Sequence, residues 1–212
     1  MARRRWSGSL TQRAGKGAGS MERRRALFDF DKYEPIEWAK CNGVCRVKTG
    51  LICDSATSSL GAEFKLKMQG NTSGMILFDS KWQYAMQVYT NSGNRIYNHA
   101  TWGSVTANSV VECEVYNTST QRKLKINGGN WMTNSVNVAV NNDAEIQLFS
   151  RYNDSMPCTE CFNYMNITRN GVYARKFRFC KRKSDGLVLL VDTLADTLYY
   201  NVGSGYFSEY TI

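Results

Sequence analysis

The chain has 212 residues, 42% of them hydrophobic, with 12 Tyr, nine Phe and five Trp, enough apolar material for one domain with a sizeable core. No run of about 18 apolar residues occurs, so no membrane-spanning helix is expected, and the basic start lacks the apolar stretch of a secretory signal. The formal net charge of +9 is unevenly placed: residues 1–25 hold eight basic groups and one acidic, a net +7, and the rest hold 19 basic and 17 acidic, a net +2.

The first 32 residues read as an arm. Arg3, Arg4, Arg5, Arg13, Lys16, Arg23, Arg24 and Arg25 are separated by Ser/Gly-containing stretches. Such a segment buries little apolar surface and is expected to be flexible. It is either a solubilising tail or a polybasic anchor that lies along nucleic acid or an acidic groove of an assembly.

From 33 to 212 the pattern is that of one β-domain. Leu60, Ala62, Phe64, Leu66 and Met68 alternate with Gly61, Glu63, Lys65 and Lys67, which predicts a half-buried strand with a wet outer face. Gly74–Phe78 reads as a more buried strand, and Tyr84, Met86 and Val88 give another inward face. A turn over Asn91–Asn94 precedes Arg95-Ile96-Tyr97. Val111, Cys113 and Val115 alternate with Glu112, Glu114 and Tyr116, and Arg122–Ile126 ends at the hairpin loop Asn127-Gly128-Gly129-Asn130. Ala144–Ser150 and Phe162–Thr168 are strand-like, and Asn170-Gly171 is a strong hairpin signal, since both turn residues must tolerate positive φ. The closing segment runs through Asp185-Gly186, Leu187–Asp192 and Leu198–Phe207, where Gly203-Ser204-Gly205 is expected to seat Tyr206 and Phe207. Roughly a dozen short strands and no helix longer than two turns predict an antiparallel sandwich or barrel.

Seven cysteines prevent complete intramolecular pairing, and the simplest reading is reduced thiols in a cytoplasm. Cys41, Cys45 and Cys53 with Cys158 and Cys161 could supply thiolates to zinc. The halves lie far apart in the chain, so unpaired thiols are the favoured reading, with Cys113 and Cys180 as small core residues. Four Asn-x-Ser/Thr sites are read as coincidence in an Asn-rich chain.

Ile36-Glu37-Trp38, Val47-Lys48-Thr49-Gly50-Leu51, Leu60–Leu66, Ala144–Arg151 and above all Tyr199–Phe207 follow one another in an order of motifs. That order resembles the concanavalin A-like, laminin-G-like jelly rolls, which occur widely in bacteriophages and prophages of gut bacteria. It implies an all-β, concanavalin A-like jelly-roll sandwich for 33–212, preceded by the flexible basic arm of 1–32. The cysteine clusters depart from that pattern and leave function open.

Catalysis finds little support. His99 stands without a nucleophile elbow, and Glu112-x-Glu114 reads as a solvated outer-face pair rather than a glycosidase dyad. The chain is therefore expected not to be an enzyme, to need no cofactor and to hold no metal. Asp54, Asp79, Asp143 and Asp154 are too scattered for calcium. Sugar binding would use aromatic platforms, with Trp82, Tyr97 and Trp102 as the glycan-contact residues, Tyr84 and Trp131 as further rings, and Asn91, Asn94 and Asn98 nearby.

These observations lead to one expectation and one alternative. The first is a bacteriophage virion structural protein, as capsid decoration, head fibre or tail appendage, whose arm anchors a lectin-like sandwich. Its partners would be other virion proteins, with contact of the arm to nucleic acid, a homo-oligomer and no membrane association. The alternative is a glycan-binding adhesin for a host surface; a glycoside hydrolase comes last.

Overall fold

The structure, a computed structural model, describes residues 29, 31–70, 75–80, 86–91, 94–137, 140, 143–151 and 156–212. The eight basic residues of the arm lie outside them. Among the described residues there are seventeen strands and no helix. In chain order they are β1 (Tyr33–Ile36), β2 (Ala39–Asn42), β3 (Val47–Ile52), β4 (Ser59–Lys67), β5 (Met75–Asp79) and β6 (Gln87–Asn91). There follow β7 (Arg95–Asn98), β8 (Thr101–Ser104), β9 (Val110–Thr118), β10 (Gln121–Ile126), β11 (Met132–Ser135) and β12 (Glu145–Leu148). The last five are β13 (Cys161–Arg169), β14 (Val172–Arg182), β15 (Val188–Asp192), β16 (Thr197–Tyr199) and β17 (Tyr206–Glu209).

Eleven strands form a large antiparallel sheet in the order β11-β10-β9-β4-β13-β14-β15-β16, with β1 beside β14, β2 beside β13 and β17 beside β2. Six form a smaller sheet, β3-β12-β5-β6-β7-β8. The two pack as a sandwich, and the chain has the concanavalin A-like jelly-roll fold expected from its motifs.

Alternation explains the large sheet. In β4 and β9 the inward pairs are Ala62 with Val115, Phe64 with Cys113 and Leu66 with Val111, and all six are buried. The outward pairs are Glu63 with Glu114 and Lys65 with Glu112. The β13–β14 hairpin turns on Asn170 and Gly171, with φ of 51° and 76°. Successive left-handed residues match the twist of the flanking strands, which is why Asn-Gly suits this corner. The Asn170 Oδ1 also accepts the backbone N–H groups of Ser58 and Ser59 at 2.8 and 3.0 Å, tying the turn to the start of β4.

Aromatic rings join the layers. Phe64 of the large sheet meets Phe78 of the small one at 5.3 Å, and Phe149, just after β12, touches Phe162, Phe179 and Phe207 at 5.1, 6.4 and 5.1 Å. Phe149 sits at φ +71°, an uncommon conformation for a bulky residue, which the surrounding rings hold in place. Both cysteines expected in the core are buried there, Cys113 in the main cluster and Cys180 in a smaller one with Leu189 and Val191, beside Tyr33 and Leu198.

The Gly-rich closing turn seats one ring rather than two. A Cβ on Gly203 would stand 2.1 Å from the Val44 carbonyl oxygen, and one on Gly205 2.2 Å from that of Asn42, so this approach of backbone to backbone requires glycine. Asn201 braces the turn, its Oδ1 accepting from the Arg46 and Gly203 N–H groups at 2.7 and 2.9 Å. Phe207 is buried as a result, while Tyr206 is 61% exposed because alternation along β17 points it the other way.

Candidate ligand-binding face

The end of the small sheet formed by β6, β7 and β8 carries the residues with the clearest capacity to bind. Alternation sends Val88, Thr90, Ile96, Asn98, Thr101 and Gly103 inward, where all are buried. Tyr89, Arg95, Tyr97, Trp102 and Ser104 project the other way. Register then aligns three rings, because Tyr89 pairs with Tyr97 and Tyr97 with Trp102. Tyr89 and Tyr97 stack at 4.8 Å with 6° between their planes, and Tyr97 meets Trp102 at 6.3 Å and 34°. Trp102 ends the row on the edge strand and is 45% exposed. The guanidinium carbon of Arg95 lies over the Trp102 ring, 4.2 Å from its centroid.

The strands beneath are firmly held. A Cβ on Gly103 would come within 2.6 Å of Ile126 Cδ1 and 2.8 Å of Met132 Cε, so β8 rests directly on β10 and β11 of the large sheet. Asn98 donates through Nδ2 to Asn117 Oδ1 at 2.7 Å and to the Lys123 carbonyl at 2.8 Å, and Thr101 Oγ1 donates to the Arg122 carbonyl at 3.0 Å. His99 occupies the β7–β8 turn at φ +54° and donates its N–H to the Gln87 carbonyl at 3.1 Å. Burial first, and the Arg122 guanidinium second, keep its imidazole below the usual histidine range. Burial also raises the Tyr89 phenol, with Tyr97 adding to the effect and the Arg151 charge opposing it. Side chains fixed in this way present their surface at little further entropic cost.

The structure thus brings together Tyr97 and Trp102 from the expected glycan-contact set. Trp82, the third member, lies outside the described residues, as does Tyr84. Trp131 is 43% exposed but belongs to the β10–β11 connection of the large sheet, where the Lys125 ammonium stands 5.0 Å from its ring centroid. Asn98 points inward as a structural anchor, which removes it from the hydrogen-bonding set, and Asn94 serves the β6–β7 turn at φ +54°. Two members of the face were not singled out as contacts, Tyr89 and Arg95. Parity alone places Tyr89 outward once Val88 is inward; the proximity of Arg95 to Trp102 depends on strand register.

The other chemical candidates separate cleanly from this face. Glu112 and Glu114 project from the outer face of the large sheet, with the Lys65 ammonium 3.4 Å from one and the Lys125 ammonium 2.5 Å from the other. All seven cysteines are buried free thiols. Ionisation of the Cys41 thiol is suppressed, chiefly by burial, with Cys158 and Cys45 adding to the effect. Burial pushes Cys53 up to about 11 and Cys161 and Cys180 up to about 12. Among the described residues no three His, Cys, Asp or Glu side chains converge as metal ligands. Asp54 is taken by Arg169 and Thr57, Asp79 is buried, and Asp154 lies outside the described residues.

No family model matches the chain, and no curated protein matches it. Among solved structures it is similar to a candidate carbohydrate-binding protein of Bacteroides ovatus, with a TM-score of 0.57, 9% identity, and coverage of 84% of this chain and 61% of that one. It therefore spans about three fifths of that protein's length. It is also similar to a heptameric SAP-like pentraxin of Limulus polyphemus, at TM-score 0.45 and 8% identity over 66% of this chain and 77% of that one. Domains LG4-5 of the mouse laminin α1 chain give 0.42 and 10%, over 74% of this chain and 49% of theirs. At 9% identity the likeness to the Bacteroides ovatus protein is one of fold.

Proposed function

We propose that this chain is a non-catalytic glycan-binding module whose ligand lies against the outer face of β6–β8. The observation that carries the reading is the Tyr89–Tyr97–Trp102 row, three aligned rings on a braced sheet end with the last ring 45% exposed. A pyranose ring has an apolar C–H face and a polar hydroxyl rim. An exposed indole can take the first, while phenol edges and a guanidinium can serve the second. The carbohydrate-binding name borne by the Bacteroides ovatus neighbour supports the same choice.

The test is a glycan array probed with the protein and with its Trp102→Ala and Tyr97→Ala variants. Binding to a discrete glycan set, lowered about tenfold or more by Trp102→Ala with the thermal midpoint nearly unchanged, is the expected result. A bound glycan whose affinity ignores both substitutions would move the site elsewhere, and no binding at all would end the reading.

The charge asymmetry favours a second element of the proposal, display of the module on a bacteriophage virion through the arm. A net +7 in residues 1–25 against +2 in the rest is the arrangement of an anchor attached to a nearly neutral head. Virion proteins or packaged nucleic acid would be the arm's partners, and a homo-oligomer would multiply weak glycan contacts. A chain beginning at Phe28 should fold yet fail to join particles; equal incorporation would remove the anchor.

A further inference from the structure

Arg95 differs from the other guanidiniums whose contacts the structure shows. Arg122 donates to the Thr118 and Gln121 carbonyls, Arg169 to Asp54 and Thr57, Arg175 to the Thr49 carbonyl, Arg178 to Asn166 Oδ1 and the Phe177 carbonyl, and Arg182 to both carboxylate oxygens of Asp185. Each is therefore committed to a protein oxygen. Arg95 is held by a ring instead, 4.2 Å from the Trp102 centroid, and among the described residues no carboxylate pairs with it. None could come from its own neighbourhood in the sheet, since β6 (Gln-Val-Tyr-Thr-Asn), β7 (Arg-Ile-Tyr-Asn) and β8 (Thr-Trp-Gly-Ser) contain neither Asp nor Glu. The residue paired with Arg95 across β7–β8 is Ser104, which is small and exposed.

A guanidinium is a planar fork of N–H donors matched to the two oxygens of a carboxylate or sulfate. Stacking on an aromatic ring restrains it without using those donors. A neutral sugar could stack on Trp102 without help from Arg95, and the lack of any acid on three adjacent strands leaves the local charge uncompensated. Resting on the glycan-binding reading above, we infer that the β6–β8 face selects saccharides bearing an oxyanion, a uronate carboxylate or a sulfate ester, which Arg95 holds while the sugar ring lies against Trp102.

The experiment uses the full chain and disaccharide pairs that differ by one oxyanion, uronate-terminated against the neutral hexose form and 6-sulfated against unsulfated. Small, singly charged ligands are needed because the arm would attract any polyanion. Affinity is measured by titration calorimetry at fixed salt for the native chain, Arg95→Gln, Arg95→Lys and Trp102→Ala. The acidic member of a pair should bind about tenfold or more tighter than the neutral one. Arg95→Gln should abolish that preference, Arg95→Lys should restore part of it, and Trp102→Ala should weaken both members. Whether the uronate or the sulfate pair shows the effect identifies the source of the oxyanion. Equal binding of acidic and neutral members, or a preference that survives Arg95→Gln, overturns the inference and leaves glycan binding intact. Absence of binding to every pair overturns both.

Discussion

The outer faces of the two sheets are built from the same kinds of residue and reach opposite ends. On the large sheet, cations lie over aromatic rings in several places: Lys123 over Tyr116, Lys125 over Trp131, Lys176 over Tyr173 and Arg178 over Tyr164. Acids are interleaved among them. Glu114 takes Lys125, Glu112 takes Lys65, and Glu63 accepts from the Tyr173 hydroxyl at 2.8 Å and from Asn166 Nδ2 at 3.1 Å. That surface satisfies itself. On the β6–β8 face the rings stack on one another, the single cation sits on the last ring, and no acid is present. Composition does not distinguish scaffold from site here; whether each charge finds its partner within the sheet does.

The comparison can be broken at several points, most severely in the core that both faces share. Phe162 is fully buried against Phe149, and Phe162→Ala should destabilise by about 3–5 kcal/mol in chemical denaturation, with both faces lost together. A surviving glycan site in a chain that has lost its cooperative transition would show that β6–β8 does not depend on the sandwich.

Glu160 supplies the fully buried counterpart to the half-buried Arg95. Its Oε2 accepts the Gln69 N–H at 2.6 Å, its Oε1 is buried without a hydrogen bond, and burial pushes its pKa up to about 7. The unfolded chain ionises this group first, near about 4.3. Stability should therefore fall as pH rises from about 4.5 to about 7, by about 1–3 kcal/mol, and level off above that. Urea midpoints across this window should show the slope in the native chain and a reduced one in Glu160→Gln. Equal slopes would mean that the carboxyl is better satisfied than its geometry indicates.

Smaller effects should mark the large sheet as scaffold. Glu63→Ala removes the acceptor of Tyr173 and Asn166 and should cost about 1–2 kcal/mol without altering saccharide affinity. An affinity change would place ligand contacts on the wrong face. Lys125→Ala, which breaks a pair whose glutamate side chain is 44% exposed, should move stability by about 0.5 kcal/mol or less and lose that small effect in high salt.

Much of the fold was legible in the residues. The inward sets Leu60–Met68 and Val111–Val115 are buried as the alternation required, Glu112 and Glu114 point outward as read, and Asn170-Gly171 makes the hairpin its dipeptide predicts. Less of the site was legible. Asn98 looks like a ligand hydrogen-bonder from its place beside Tyr97, yet its amide is spent on Asn117 and the Lys123 carbonyl. Arg95 looked like the start of an ordinary strand, and Tyr206 was grouped with Phe207 although the pleat separates them.

The physical reason is one of range. Which side of a strand a residue faces follows from a period of two, a property of the strand alone, so core and surface sets could be read from the chain. Which residues stand side by side depends on register between strands, set by turns and by packing against the opposite sheet. Tyr89, Tyr97 and Trp102 were three separate aromatics in the sequence, and only the pairing of β6 with β7 and of β7 with β8 made them one surface. The same pairing left Arg95 with a ring beneath it and no acid beside it.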